Sequence, residues 1–362
     1  MKTSNLTHSR VTRENLLAFA KSVPGALIGL KVAALLLLLE GQRPGWIAQV
    51  LGLTRMGLNR WIRAVLVCIL FFVSATVYGA DYKNPQLLAS PADIEKNKGK
   101  WIVLDCRDPK TTKNKYTGQV VKGYNDGHIP GAINLGGDCS EILRDDKLSN
   151  VKKTEDVEKI LGDAGLSSDK TVAVYGDTKV IINNAVGYWI LEYMGQKDVR
   201  FLNGGVDAWE AAGKKLETTP TKLKATKYTA HVVKNRIATT EEVAKIAKGT
   251  VKGPQLVDSR SIEEFNGSVA YAKRGGHIPH VALHVDSVES YDKTTGKIKS
   301  MDELEKLYGK LDKNKRVIAY CQTGTRCALT YLEFRLLGFK DPANYDDSWI
   351  IYGNDESLPV EK

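Results

Sequence analysis

The sequence has few cysteines, five in 362 residues, at positions 68, 106, 139, 321 and 327. None stands in a Cys-x-x-Cys pair or at metal-ligand spacing, and five thiols establish no disulfide framework by spacing alone. Long hydrophobic runs are also lacking. The longest, residues 64–77, covers fourteen positions, and as a helix it would span only about 21 Å of a roughly 30 Å hydrocarbon core. Charge of one sign is scarcer than the net +10 implies, because residues 1–80 hold nine Lys or Arg against Glu14 and Glu40. That is +7 of the +10, so the other 282 residues carry only +3. This excludes a dedicated polyanion-binding surface on the main body. Apolar content of 43% and aromatics at 8% are ordinary for a globular protein. The length exceeds one typical domain and predicts two.

The first eighty residues differ from the rest. Arg60 and Arg63, the apolar run and the small-residue end Tyr78-Gly79-Ala80 follow the three-part plan of a signal peptide. Residues 56–80 are therefore expected to be a cleaved signal ending near Ala80, starting from Met56, with the protein exported to the periplasm and meeting the membrane only during export. Upstream, Gly45 to Ile62 reads as a short helix, a turn at Gly52 and a second helix. This resembles the helix-turn-helix at the head of many transposases. Its second helix runs into the apolar segment, whereas groove entry needs that helix free. Residues 1–55 are thus expected to be a leader absent from the mature protein, which takes no nucleic-acid partner. A membrane-tethered DNA-binding regulator is the competing reading, and it needs residues 1–63 to be retained.

From Asp81 onward the pattern is α/β. Ser90-Pro-Ala-Asp93 is a helix start, and Trp101-Ile-Val-Leu-Asp105 and Lys170-Thr-Val-Ala-Val-Tyr175 are continuous apolar strands. A helical stretch around Ala185 to Met194 follows. Such strands alternating with helices predict a mainly parallel sheet flanked by helices. The second half then repeats the first. Asp258-Ser-Arg260 answers Asp105-Cys-Arg107 at an offset of 153, and Gly276-His-Ile-Pro279 answers Gly127-His-Ile-Pro130 at 149. Val317-Ile-Ala-Tyr320 answers Val172-Ala-Val-Tyr175 at 145, and Gly338 answers Gly195 at 143. Four matches in one order predict tandem domains over 85–213 and 236–356, joined by a Lys/Thr-rich linker at 214–235. Thr239-Thr-Glu-Glu242 is a capping-box signature at the second copy's start.

The second copy carries the candidate site. Val317-Ile-Ala-Tyr320 leads into Cys321-Gln-Thr-Gly-Thr-Arg326, after which Leu329, Leu332, Phe334, Leu336 and Leu337 recur at helical spacing. Strand, loop and helix in that order place Cys321 at the carboxyl end of a parallel strand, facing a helix amino terminus. The helix and Arg326 both favour the thiolate, which is the nucleophilic form.

Together these motifs, with Leu202-Asn-Gly-Gly-Val-Asp-Ala-Trp209, Glu264-Phe265 and Tyr345-Asp-Asp-Ser-Trp349, resemble the two-domain rhodanese family (thiosulfate/3-mercaptopyruvate sulfurtransferase-like) across about residues 85–355. The resemblance implies that Cys321 carries sulfur as a persulfide, taken from a small anionic donor such as thiosulfate and passed to cyanide or a thiol. It implies an amide cradle from Gln322 to Arg326, with Gln322, Thr323, Gly324, Thr325 and Arg326 as the substrate-binding loop, and no metal or organic cofactor. A six-residue loop is the sulfurtransferase size; phosphatase and arsenate-reductase relatives place five residues between Cys and Arg. The first domain, with Tyr175-Gly176-Asp177 at the equivalent point, is expected to be inactive.

Arg274, Arg260 and His280 are the further candidates for donor binding, although Asp258 and Arg260, like Asp105 and Arg107, also read as structural clamps, and His128 and His277 as turn-stabilising residues. Glu264 stands where the thiosulfate enzymes have arginine, and a carboxylate there is expected to repel thiosulfate unless Arg274 or Lys273 compensates. Cys106 reads as structural, Cys139 as an exposed free thiol, and Cys327 as either a small packing residue or a thiol able to resolve an oxidised Cys321. The alternatives to a thiosulfate enzyme are a mercaptopyruvate- or polysulfide-specific enzyme and a non-catalytic, redox-sensing sulfur-binding protein of the same fold.

Overall fold

The computed structural model describes residues 82–113, 118–145 and 150–362. The expected helix-turn-helix leader and signal peptide lie outside the described residues. Among those described, no helix is long and apolar enough to cross a membrane.

The first copy contains strands β1 (Leu88–Ala89), β2 (Ile102–Asp105), β3 (Ile133–Asn134), β4 (Thr171–Tyr175) and β5 (Asp198–Leu202). They form one sheet in the order β1-β5-β4-β2-β3, with every pairing parallel. Its helices are α1 (Pro91–Lys96), α2 (Cys139–Ile142), α3 (Thr154–Asp163), α4 (Ile181–Tyr193) and α5 (Gly205–Ala211). The second copy builds a parallel sheet from β6 (Gln255–Asp258), β7 (Val281–His284), β8 (Arg316–Tyr320) and β9 (Asp341–Asn344), in the order β9-β8-β6-β7. A single parallel bridge from Ile237 to Asn344 stands where the first copy has β1. Helices α6 (Thr240–Ala247), α7 (Ile262–Phe265), α8 (Met301–Tyr308), α9 (Arg326–Leu337) and α10 (Ser348–Tyr352) complete it.

The local signals act where the sequence placed them, with one difference. Ser90 caps α1 in a reciprocal box with Asp93. Thr239 accepts from the Glu242 N–H at 3.2 Å, but the return arm is missing because the Glu242 carboxylate is bound by Arg316. A guanidinium within reach is a stronger partner for a carboxylate than a backbone amide.

Strand alternation gives each sheet two covered faces. Val103 and Ile318 belong to small clusters local to one copy, whereas Leu104, Val317 and Ala319 join one large cluster shared by both. At its centre α4 lies along α9, with Tyr188, Trp189 and Leu191 among Leu329, Tyr331 and Leu332. Each such buried side chain stabilises by roughly 1.5–3 kcal/mol, and the copies therefore pack as one body. At the edge of this contact Glu192 accepts from Arg335 at 3.0 Å through both oxygens and from the Tyr331 hydroxyl.

The repeat extends to individual bonds. Arg107 clamps Asp105 and the Gly127 carbonyl, as Arg260 clamps Asp258 and the Gly276 carbonyl. His128 stacks on Tyr124, and His277 stacks on Phe265, each with centroids 3.8 Å apart. Each histidine's Nδ1 bonds the carbonyl of the residue on which it stacks.

Cysteine usage departs from the sequence reading. Cys139 is fully buried and bonded to Cys106, with an S–S distance of 2.07 Å. The polar stretch around it conceals a short helix that turns the residue inward. Gly187 on α4 makes the room, since a Cβ there would meet Cys106 Sγ at 2.6 Å.

Candidate active site

Cys321 follows the last residue of β8, and α9 begins five positions later at Arg326. The intervening loop is held on three sides. Ser348, at the start of α10, accepts from the N–H of Cys321 at 3.1 Å and of Gly324 at 3.0 Å, while its hydroxyl donates to the Tyr345 carbonyl. The N–H groups of Trp349 and Ile350 in turn donate to the carbonyls of Cys321 and Gln322. Ser348 has φ of +47°, a strained value for a side-chain-bearing residue, and such strain concentrates at functional sites.

The third side comes from the other copy. Arg144, just beyond α2, donates to Thr325 Oγ1 at 2.8 Å and to the Thr323 carbonyl at 2.7 Å, and pairs with Asp346. The same carboxylate accepts from the Val151 N–H at 2.7 Å. Arg144 and Asp346 are both almost fully buried. Gly324 is compressed between these groups with φ of +75°, and a Cβ on it would stand 2.3 Å from Arg144 Nη2 and from Asp346 Oδ1. Only glycine fits on both counts.

Cys321 is buried. Burial by itself would push its thiol up. Against it stand the Cys327 thiol, the Arg326 guanidinium and the N–H groups of Cys327 and Thr323, which together hold its pKa well below the ordinary thiol value. The amino terminus of α9 adds the positive end of the helix dipole. Both the loop and the helix thus favour the thiolate over the thiol.

The expected loop residues are brought together, but their bonds differ from the expected cradle. The Gly324 amide is committed to Ser348, and the Gln322 side chain reaches the Tyr271 carbonyl at 3.2 Å. Arg326 turns its fork to Glu264, with Nη1–Oε2 at 2.6 Å and Nη2–Oε1 at 2.8 Å. Glu264 thus neutralises the loop cation rather than standing as an unpaired repulsive charge. Burial pushes this carboxyl up, but Arg326 outweighs it and leaves its pKa below the usual value.

The three further candidates are engaged with other partners. The Arg260 guanidinium is committed to Asp258 and Gly276, 4.4 Å from the Trp349 ring centroid. Arg274 donates to the carbonyls of Tyr352, Gly353, Asp355 and Leu358, tying down the C-terminal segment. His280 is exposed with φ of +64°, the left-handed conformation that Gly131 takes in the first copy, and it faces Gly249. Lys273 pairs at the surface with Glu356. In the first copy the position matching Cys321 is Gly176 rather than Asp177. A Cβ at Gly176 would fall 2.0 Å from Asn184 Oδ1, so a thiol there would displace the Asn184 side chain.

Sequence reasoning missed Arg144, Asn344, whose Nδ2 donates to the Gly324 carbonyl, and the linking role of Ser348. The Tyr345-Asp-Asp-Ser-Trp349 motif pointed to Ser348 by position, whereas nothing near Arg144 marked it, since its contacts cross between copies.

The model of the Rhodanese-like domain family matches residues 90–212 and 239–350. Among curated relatives, a protein of Mycolicibacterium smegmatis named "Putative thiosulfate sulfurtransferase" is 33% identical over 72% of this chain and 95% of its own. One of the same name from Saccharopolyspora erythraea is 36% identical over 66% of this chain and 86% of its own, and one from Haloferax volcanii is 34% identical over 67% and 86%. Among solved structures, wild-type EanB superposes with a TM-score of 0.67 at 22% identity, covering 78% of this chain and 70% of that one. Motif, repeat, fold and relatives agree: the chain belongs to the rhodanese family and carries two tandem rhodanese-like domains.

Proposed function

We propose that this protein is a sulfurtransferase of the thiosulfate type. The observation that carries the reading is the buried Cys321 thiol, placed beside Arg326 and the α9 amino terminus in a six-residue loop at the end of β8, surroundings that lower its pKa. The thiolate attacks the outer sulfur of the donor, the donor's S–S bond breaks, and sulfite leaves with the electron pair. The charge then rests on the persulfide's outer sulfur, beside the α9 amino terminus. An acceptor, cyanide or a thiol, attacks that sulfur and releases the Cys321 thiolate. Gly324 and Arg144 keep the loop in shape. The relatives' names support the reaction class. Cys321→Ser should fold normally and transfer no sulfur from thiosulfate to cyanide. Turnover retained in that variant would sink the proposal.

One observation favours a second reading of the donor. With Arg326 paired to Glu264, a dianion meets a cation already neutralised, which favours a monoanionic donor such as mercaptopyruvate over thiosulfate or a dianionic polysulfide. Comparing kcat/KM across the three donors decides between them. For location, the signal-like residues 56–80 and the Cys106–Cys139 disulfide both support export to an oxidising compartment such as the periplasm. N-terminal sequencing of the natural protein, expected to begin near Asp81, tests this and the loss of the leader together.

A further inference from the structure

Cys327 has no part in the sulfur-transfer scheme, yet its Sγ lies 3.5 Å from Cys321 Sγ and 2.9 Å from Asn344 Oδ1. All three residues are buried. The Asn344 amide has one orientation, because its Nδ2 donates to the Gly324 carbonyl at 3.0 Å and thereby turns Oδ1 toward Cys327. A thiol has a single proton to donate. The Cys327 S–H therefore chooses between Cys321 Sγ and Asn344 Oδ1 and serves one at a time, since the more distant Ser348 Oγ, at 3.9 Å, already accepts from two backbone N–H groups.

The charge on Cys321 decides which acceptor it serves. A neutral thiol sulfur is a weak acceptor, and the amide oxygen then wins. A thiolate is a full anion, and hydrogen bonds to an ionised partner are roughly twice as strong as neutral ones. We propose that Cys327 is a catalytic hydrogen-bond donor, swinging its S–H from Asn344 to Cys321 whenever that sulfur is anionic. In the first half-reaction this stabilises the attacking thiolate. Once the persulfide forms, the charge moves to the outer sulfur and the S–H returns to Asn344. In the second half-reaction it stabilises Cys321 as the leaving thiolate. The proton stays on Cys327 throughout, and no covalent bond at that residue changes.

The surroundings favour this division of labour between the two thiols. Cys321 faces Arg326, itself paired with Glu264, and the α9 amino terminus. Cys327 faces Ser348 and the carboxylate of Asp346, which Arg144 pairs. Burial, and then the neighbouring Cys321 sulfur, push the Cys327 thiol well above its ordinary value, which keeps it a donor. Asp258 is held by Arg260.

The proposal rests on Cys321 as the sulfur carrier, but its test reads ionisation directly, so the two fail separately. The ultraviolet thiolate absorbance of the full chain is titrated with pH, and each protein is corrected by its partner carrying Cys321→Ser. Cys327→Ala should raise the Cys321 midpoint by about one unit, whereas Cys327→Ser, which keeps an O–H donor, should stay near the wild type. The first half-reaction, followed as sulfite released from thiosulfate, should slow about tenfold in Cys327→Ala below the wild-type midpoint and converge with the wild type above the raised one. The near-isosteric pair Cys327→Thr and Cys327→Val repeats the comparison, differing mainly in the hydroxyl, should the alanine variant fold poorly. Coincident midpoints in donor and non-donor variants overturn the proposal, as does a serine variant that shifts as far as alanine.

Discussion

Glu264 holds Arg326 by both arms of its guanidinium, at 2.6 and 2.8 Å, and does so from a nearly buried position at the end of a one-turn helix. The residue that marks the departure from the thiosulfate enzymes therefore acts on the loop's own cation. Glu264→Gln keeps the shape and removes the charge, freeing Arg326 to face the donor. The KM for thiosulfate should fall by about fivefold, equivalent to an interaction of about 1 kcal/mol, with little change for a less charged donor. Arg326→Ala instead strands a buried carboxylate, and should lower stability by about 3 kcal/mol. The double variant should regain most of that loss in a denaturant titration. An unchanged KM in Glu264→Gln would remove the electrostatic account of donor choice.

Arg144 gives the domain without a nucleophile a part in the site. It bonds the loop at Thr323 and Thr325 and neutralises Asp346. Arg144→Ala should reduce kcat more than tenfold and also destabilise the fold, by about 3 kcal/mol, because Asp346 is left buried and unpaired. Adding Asp346→Asn should restore stability without restoring kcat, since the loop contacts stay lost. If kcat returns together with stability, the arginine is a structural ion pair only.

The Cys321 loop, the tandem copies and the clamps at Asp105–Arg107 and Asp258–Arg260 were legible in the sequence because each is local or repeated. Cys321, Gly324 and Arg326 lie within six residues, and the repeat gave each clamp a second occurrence. What the sequence hid is nonlocal. Arg144 and Thr325 are 181 residues apart, and no spacing rule connects them. Cys139 was misread because its neighbours Asp138 and Ser140 are polar, although they cap the turn that buries it. Arg274 reads as a donor-binding cation that could compensate Glu264, whereas four carbonyls near the C-terminus offer its fork a denser set of acceptors.

The Cys106–Cys139 bridge closes a segment with a sequence separation of 33. A loop of that size contributes about 3–4 kcal/mol through the unfolded state in the chain-entropy account. Cys106→Ser, or dithiothreitol on the wild type, should lower the denaturation midpoint by the corresponding amount, and the two should not add. Gly187→Ala should also destabilise, since its methyl would stand 2.6 Å from Cys106 Sγ. Additive effects of reductant and Cys106→Ser would mean that the thiols are unpaired.

Glu333 sets a pH dependence separate from the chemistry. It lies fully buried on α9, accepting from the Tyr308 hydroxyl at 2.7 Å, and burial raises its carboxyl from 4.5 to about 8. The native state therefore keeps a proton that the unfolded chain has already lost between those two pH values. The unfolded state binds fewer protons there, so this group makes stability fall as pH rises through the window. The loss is complete above about 8 and absent below the ordinary carboxyl range. Glu333→Gln retains an acceptor for Tyr308 without the titration. It should match the wild type at low pH and exceed it increasingly toward alkaline pH, by roughly 3–5 kcal/mol at the plateau. Denaturant midpoints measured across that range check the sign directly. Parallel curves for the two proteins would show that the Glu333 carboxyl titrates alike in the folded and unfolded chain.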